Sequence, residues 1–153
     1  MNRWQELKSE GTFFWRAGHA APAIERLTQA MELARPVPGL SVHTNHMLNY
    51  LAHIYLSEGM LAEAERTIRE AIRHETEAKL EPSGANRMIL ANVLHQQGRC
   101  KEAVRAGKEA LAIHRNELGW GGDFARQTKK IVASFKKPPV AKTETQKAVG
   151  LTA

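Results

Sequence analysis

Cysteine is almost missing from this chain. Of its 153 residues only Cys100 carries a thiol, so no internal disulfide can form and packing has to hold the fold, as suits a reducing compartment. Long apolar runs are missing too: none approaches the roughly 18 residues of a membrane-spanning helix, and no membrane partner is expected. The opening Met-Asn-Arg-Trp-Gln-Glu-Leu-Lys is charged and amphipathic, without the apolar centre of a signal peptide. The expected location is therefore the cytoplasm. There is no Gly-rich phosphate loop, no Gly-x-Ser-x-Gly and no paired-carboxylate site, so neither an enzyme nor a bound cofactor is expected.

Two sparse chemistries are weighed on the same grounds. His43 and His46 lie one helical turn apart, a spacing that zinc accepts, but no cysteine or carboxylate cluster accompanies them and no metal site is expected. Cys100 stands between Arg99 and Lys101 at a helix start, a setting that activates thiolates. It has no base at recognisable spacing. Acidic residues are in short supply, 16 against 22 lysines and arginines. The excess is uneven, because residues 136–153 hold four lysines against Glu144. That tail has a Pro-Pro step and little apolar content, and residues 137–153 are expected to be disordered.

What the chain does have is a five-point pattern repeated three times. Gly11, Phe14, Gly18, Ala23 and Ala30 are followed by Ala52, Tyr55, Gly59, Ala64 and Ala71, then by Ala91, Leu94, Gly98, Ala103 and Ala110. The internal offsets are 3, 4, 5 and 7 each time, and the copies start 41 and then 39 residues apart. Such a period belongs to stacked helical hairpins. Apolar residues at helical spacing give repeats over about 2–35, 41–80 and 83–118, with a loop near 35–40 and turns at Gly18, Gly59 and Gly98. The second helix of the middle pair is expected to run from Leu61 to about Lys79, with Glu65, Arg66, Arg69, Glu70 and Arg73 on a solvated outer face. Ala52 against Ala64 and Ala91 against Ala103 are the expected close crossings.

Gly107 takes the place held by Leu27 and Ile68 in the other copies. Since a mid-helix glycine costs ~1 kcal/mol relative to alanine, a large residue from the next helix, Phe124 or Phe135, is a candidate to fill the gap, with simple drift as the alternative. Beyond Gly119-Trp120-Gly121-Gly122, Asp123 is placed as an N-cap and a helix over 123–136 repeats the small-then-large step as Val132 and Phe135. It would cap the open end of the array. Its Arg126, Lys129 and Lys130 form a basic side.

The segment ANRMILANVLHQQGRCKEAVRAGKEALAIHRNELG resembles tetratricopeptide repeats, specifically the long-period variety similar to kinesin light chain. LNYLAHIYLSEGMLAEAERTIREAI resembles the same unit, while the first copy departs from it, with Gly11 in the small site and no Asn-Leu-Ala element. The resemblance implies an all-α, right-handed α-solenoid of three helix-turn-helix repeats plus a C-terminal capping helix, covering about residues 1–136. It implies a non-enzymatic adaptor that holds a peptide or partner protein in a concave groove lined by the first helices. Helical phase places in that groove Lys8, Thr12 and Arg16, then His46, Asn49, Tyr50, His53 and Ser57, then Met88, Asn92 and Gln96, and lastly Arg126 and Lys130.

Asn49 and Asn92 are suited to hydrogen-bonding a peptide backbone, since a carboxamide both donates and accepts. The groove would be cationic and favour an acidic segment or a terminal carboxylate. Some family members clamp that carboxylate with a Lys–Asn, Asn, Lys–Arg set. Here Lys8 matches the first element, but Thr12 replaces the paired Asn, and Ala85 and Ile89 stand where the final basic pair belongs, so that clamp is not expected. Two alternatives compete with the groove: nucleic-acid binding through Arg126, Lys129, Lys130 and the lysine tail, and self-association through the solenoid ends near Trp4, Phe13 and Trp15.

Overall fold

The computed structural model describes residues 1–118 and 123–140. Seven α-helices follow one another among the described residues: α1 (Arg3–Arg16), α2 (Ala20–Ala34), α3 (Ser41–Ser57), α4 (Leu61–Glu77), α5 (Gly84–Gln96), α6 (Cys100–Leu118) and α7 (Asp123–Ser134). No strand occurs among the described residues. Each helix packs on the next, with the closest association inside the pairs α1–α2, α3–α4 and α5–α6, and α3 also reaches α5. This is a stack of hairpins closed by a single helix.

The repeated pattern explains the geometry point by point. Gly18, Gly59 and Gly98 have φ of 82°, 74° and 79°, the left-handed conformation that lets a helix stop without a Cβ clash. At each one the glycine's own N–H and the next one turn back onto the last turn: Gly59 N–H donates to Leu56 O at 3.1 Å and Met60 N–H to Tyr55 O at 2.9 Å. The small residues Ala23, Ala52, Ala64, Ala91 and Ala103 are all fully buried, so the helices meet where side chains are shortest. Gly11 is more constrained than its counterparts Ala52 and Ala91. A Cβ on it would come within 2.7 Å of Leu27 Cγ and 3.2 Å of the Leu27 backbone nitrogen. One continuous apolar core runs from Leu7 to Phe135.

The gap at Gly107 is filled, and mainly by a residue other than the two aromatics anticipated. Val132 Cγ2 lies 2.8 Å from the position of a Cβ, with Phe135 Cδ2 behind it at 3.5 Å. Phe124 does not take part: it is 49% exposed and lies edge-on to His114, with ring centroids 4.6 Å apart.

Several boundaries differ from the sequence expectation. α4 stops at Glu77, two residues early, because Lys79 adopts φ 54° and Leu80 N–H donates back to Glu75 O at 2.8 Å. The end has the form of the glycine turns, on a lysine. Within the loop at 35–40, Pro38–Leu40 winds as a 3₁₀ turn that leads into α3. Asp123 is the first residue of α7 and its carboxylate accepts from Arg126 Nη2 at 2.6 Å, so it pairs with the next turn's guanidinium. α7 ends at Ser134, short of 136. The turn at 119–122 and tail residues 141–153 lie outside the described residues; Val140, the last described residue, is 93% exposed.

The charged side of α4 is not merely solvated. Arg35 of the first pair forms an ion pair with Glu70. Glu65 accepts from Arg69 and Gln97, and both of its carboxylate oxygens accept from Arg99 Nη1, at 2.9 and 3.0 Å. Burial alone would raise the Glu65 carboxyl, but the hydrogen bonds from Gln97, Arg69 and Arg99 outweigh it and hold it below its ordinary value. These pairs stitch one hairpin to the next.

Candidate partner-binding face

Two clefts open along the first helices, one repeat apart. The first, about 330 Å³ between α1 and α3, is lined by Trp4, Lys8, Thr12 and His43 among others. The second, about 520 Å³ between α3 and α5, is lined by His46, Asn49, Ala85 and Asn86 together with Lys79 and Glu81. Lys8 of the first cleft lies near enough to His46 of the second for its charge to act on the imidazole. Burial, then the charge of Lys8, then His43 press the His46 imidazole below its ordinary value of 6.5, so it stays neutral at pH 7.

The anticipated groove residues divide into groups. Lys8 and Thr12 share the first cleft and His46 and Asn49 the second. Arg16, Tyr50, His53, Ser57 and Gln96 are exposed, and Met88 and Asn92 are half-buried. His53 stands edge-on to Trp15, with centroids 6.1 Å apart. Arg126 is engaged by Asp123, while Lys130 is exposed on α7. No described contact brings these last two to the clefts. The charge is also less one-sided than expected, because Glu81 enters the second cleft and His46 is neutral. At the N-terminal end, Trp4 lies against the His43 ring at 4.9 Å, and both Trp4 and Trp15 pack against the core. Of the three aromatics placed at that end, only Phe13, 68% exposed, is open to solvent.

Beneath the second cleft is a polar network that periodicity did not reveal. Asn86, 1% exposed, donates from Nδ2 to Glu75 Oε1 at 2.6 Å and to Asn45 Oδ1 at 3.1 Å. Asn45 in turn donates to Ala71 O at 2.7 Å. Glu75, itself 3% exposed, also accepts from Ser83 N–H at 3.2 Å and from Arg87 Nη1 at 2.7 Å. A buried carboxylate is tolerable only when paired and hydrogen-bonded in this way. The signal that could have found it is Glu75 itself, which falls on the apolar stripe of α4 four residues after Ala71.

Asn49 belongs to this network, since its Nδ2 donates to Asn86 Oδ1 at 2.7 Å. Asn92 donates to Met88 O, one turn back on its own helix, at 3.0 Å. One amide hydrogen of each asparagine is thus already engaged.

Hairpins stacked through a continuous core, with a lone helix at one end, define a helical repeat protein. Residues 87–124, which run from α5 through α6 to the start of α7, match the family profile described as tetratricopeptide repeat. This match and the stacked hairpins around it support a tetratricopeptide-type repeat protein, and such repeats serve in general as scaffolds for protein–protein interaction. A comparison with curated proteins returns no match. No helix among the described residues is long and apolar enough to cross a membrane, and no group of three or more His, Cys, Asp or Glu side chains converges there.

Proposed function

We propose that the protein is a non-enzymatic adaptor, working in the cytoplasm, that holds an extended peptide segment of a partner along a concave groove formed by α1, α3 and α5. The pair of clefts one repeat apart carries this reading. A bound segment with side chains seated in both would contact Lys8 and Thr12 at one and His46 at the other. The 39-residue step and Leu90-Ala91 of the third copy favour the long-period, kinesin light chain-like variety.

An acidic residue of the peptide is favoured between the clefts, where Lys8 offers a cation and His46 a second, pH-dependent one. The sign follows from linkage. A carboxylate bound beside His46 favours its imidazolium, so affinity for an acidic peptide rises as pH falls from 7.5 through 6.5. Without ligand the same depressed pKa acts on stability: the unfolded chain protonates first, and the stability that the neutral imidazole contributes above 6.5 declines as pH falls toward the folded value. Fluorescence-anisotropy titrations of acid-rich peptides at pH 7.5 and 5.5 provide the test. Lys8→Glu is expected to weaken binding about tenfold and His46→Gln to remove the pH dependence. Binding that ignores both substitutions excludes this groove.

A further inference from the structure

A third cleft, about 510 Å³, lies between α6 and α7, away from the groove just described. Leu111, Val132 and Ala133 form its apolar part; Lys108, Arg115, Lys129 and Lys136 surround them, and no carboxylate lines it among the described residues. Its position in the repeat can be read from the chain's own periodicity. Moved back by the 39 residues that separate Ala110 from Ala71, the α6 residues Lys108, Leu111, Ala112 and Arg115 become Arg69, Ile72, Arg73 and Thr76. All four of those line the corresponding groove on α4.

On α4 that groove has a further wall, formed by α6 with Glu102, Arg105, Ala106 and Glu109. Val132 of α7 sits 41 residues after Ala91, the fully buried alanine expected to meet α6 at Ala103. The α6–α7 cleft is therefore the seat of a second helix in a fourth repeat, and no described helix takes it.

Consecutive second helices in this protein are tied by opposite charges. Arg35, at the end of α2, pairs with Glu70 of α4, and Glu65 of α4 pairs with Arg99 at the start of α6 at 2.9 Å. On α6 the described charged residues of the cleft are Lys108 and Arg115, and an acidic helix seated there would complement them as Glu70 complements Arg35 and Glu65 complements Arg99. We propose that this cleft takes an amphipathic helix of a partner protein, with a stripe of alanine and leucine and glutamates or aspartates along its flanks. Glu102 and Glu109, seven residues apart around the small Ala106, are the internal template for such a helix. This inference goes beyond the peptide groove and does not depend on it.

The test uses the full chain and two synthetic helical peptides of about 20 residues, long enough to reach helical form on a surface. One carries an Ala/Leu stripe flanked by glutamates; in the other every glutamate is lysine. In anisotropy titrations the glutamate peptide is expected to bind at least about tenfold more tightly than the lysine peptide. The exposed pair Lys108→Glu plus Lys129→Glu is expected to invert that preference, and Lys108→Gln plus Lys129→Gln to reduce it, with circular dichroism of both variants unchanged. Lys8→Glu in the other groove should leave it untouched. Equal binding of the two peptides, or a preference that survives both variants, overturns the proposal. So does preferential capture of a single-stranded oligonucleotide at these lysines, or a dimer in light scattering that the double reversal dissolves, which would assign the cleft to nucleic acid or to a second copy of this chain.

Discussion

The junctions between successive hairpins share one register position and handle it in three different ways. Four residues after the last alanine of each pattern copy stand Ala34, Glu75 and His114, and all three are buried. At the first junction the small Ala34 belongs to the apolar core. At the second, Glu75 gathers Asn86, Ser83 and Arg87 into a network. At the third, the His114 ring lies edge-on to Phe124 of α7 and also fills the space over Gly84 within its own hairpin, where a Cβ would come within 2.2 Å of Nε2. The alanine–glycine pattern dictates how far apart the helices sit. What fills the space between them is a separate choice at every junction, and the second choice places polar atoms directly beneath the α3–α5 cleft.

That comparison can be broken most severely at Glu75. Glu75→Ala leaves Arg87 and Asn86 without their acceptor in a buried setting and is expected to cost about 3–5 kcal/mol, read as a lower denaturation midpoint. Glu75→Gln keeps a neutral acceptor and should cost clearly less. If both are nearly neutral, the network is not what holds the second junction.

A smaller effect belongs to His114, which reaches from the third junction back into its own hairpin. Gly84→Ala forces the buried His114 ring to move and should destabilise by about 1–3 kcal/mol, despite the gain in helix propensity. Combined with His114→Ala, the two losses are expected to be less than additive, since removing the ring removes the clash. Strict additivity would mean that the two sites are not coupled. The smallest effect is a gain. Lys79 holds a left-handed conformation at the end of α4, which costs a non-glycine residue about 1 kcal/mol. Lys79→Gly should raise thermal stability by that order, and no gain would mean that the lysine side chain compensates through the cleft it lines.

Much of this architecture was legible because it rests on residues with few alternatives. Gly18, Gly59 and Gly98 stop their helices where the pattern places them, and Ala52, Ala64, Ala91 and Ala103 are buried as expected. Legibility failed where a residue acts against its type. Lys79 takes a glycine's conformation, so α4 ends early. Glu65 and Glu70 look like surface charges and reach into neighbouring hairpins. Asn49 has the composition of a ligand-binding residue and is partly engaged by Asn86. Periodicity places a side chain on a face, but its partners come from residues 26 to 41 positions away, as Asn45 with Ala71 and Asn86 shows. The α6–α7 cleft is hidden in the sequence for the same reason: its basic residues are spread over two helices and converge only in the fold.

The central claim is that partners are held on the face of the first helices. Site-specific photo-crosslinking from two exposed positions, His53 on that face and Arg66 on the outer side of α4, tests it most directly in native extract. The account predicts that a partner crosslinks from position 53 and not from position 66. A partner captured from position 66 with equal or greater yield would contradict it.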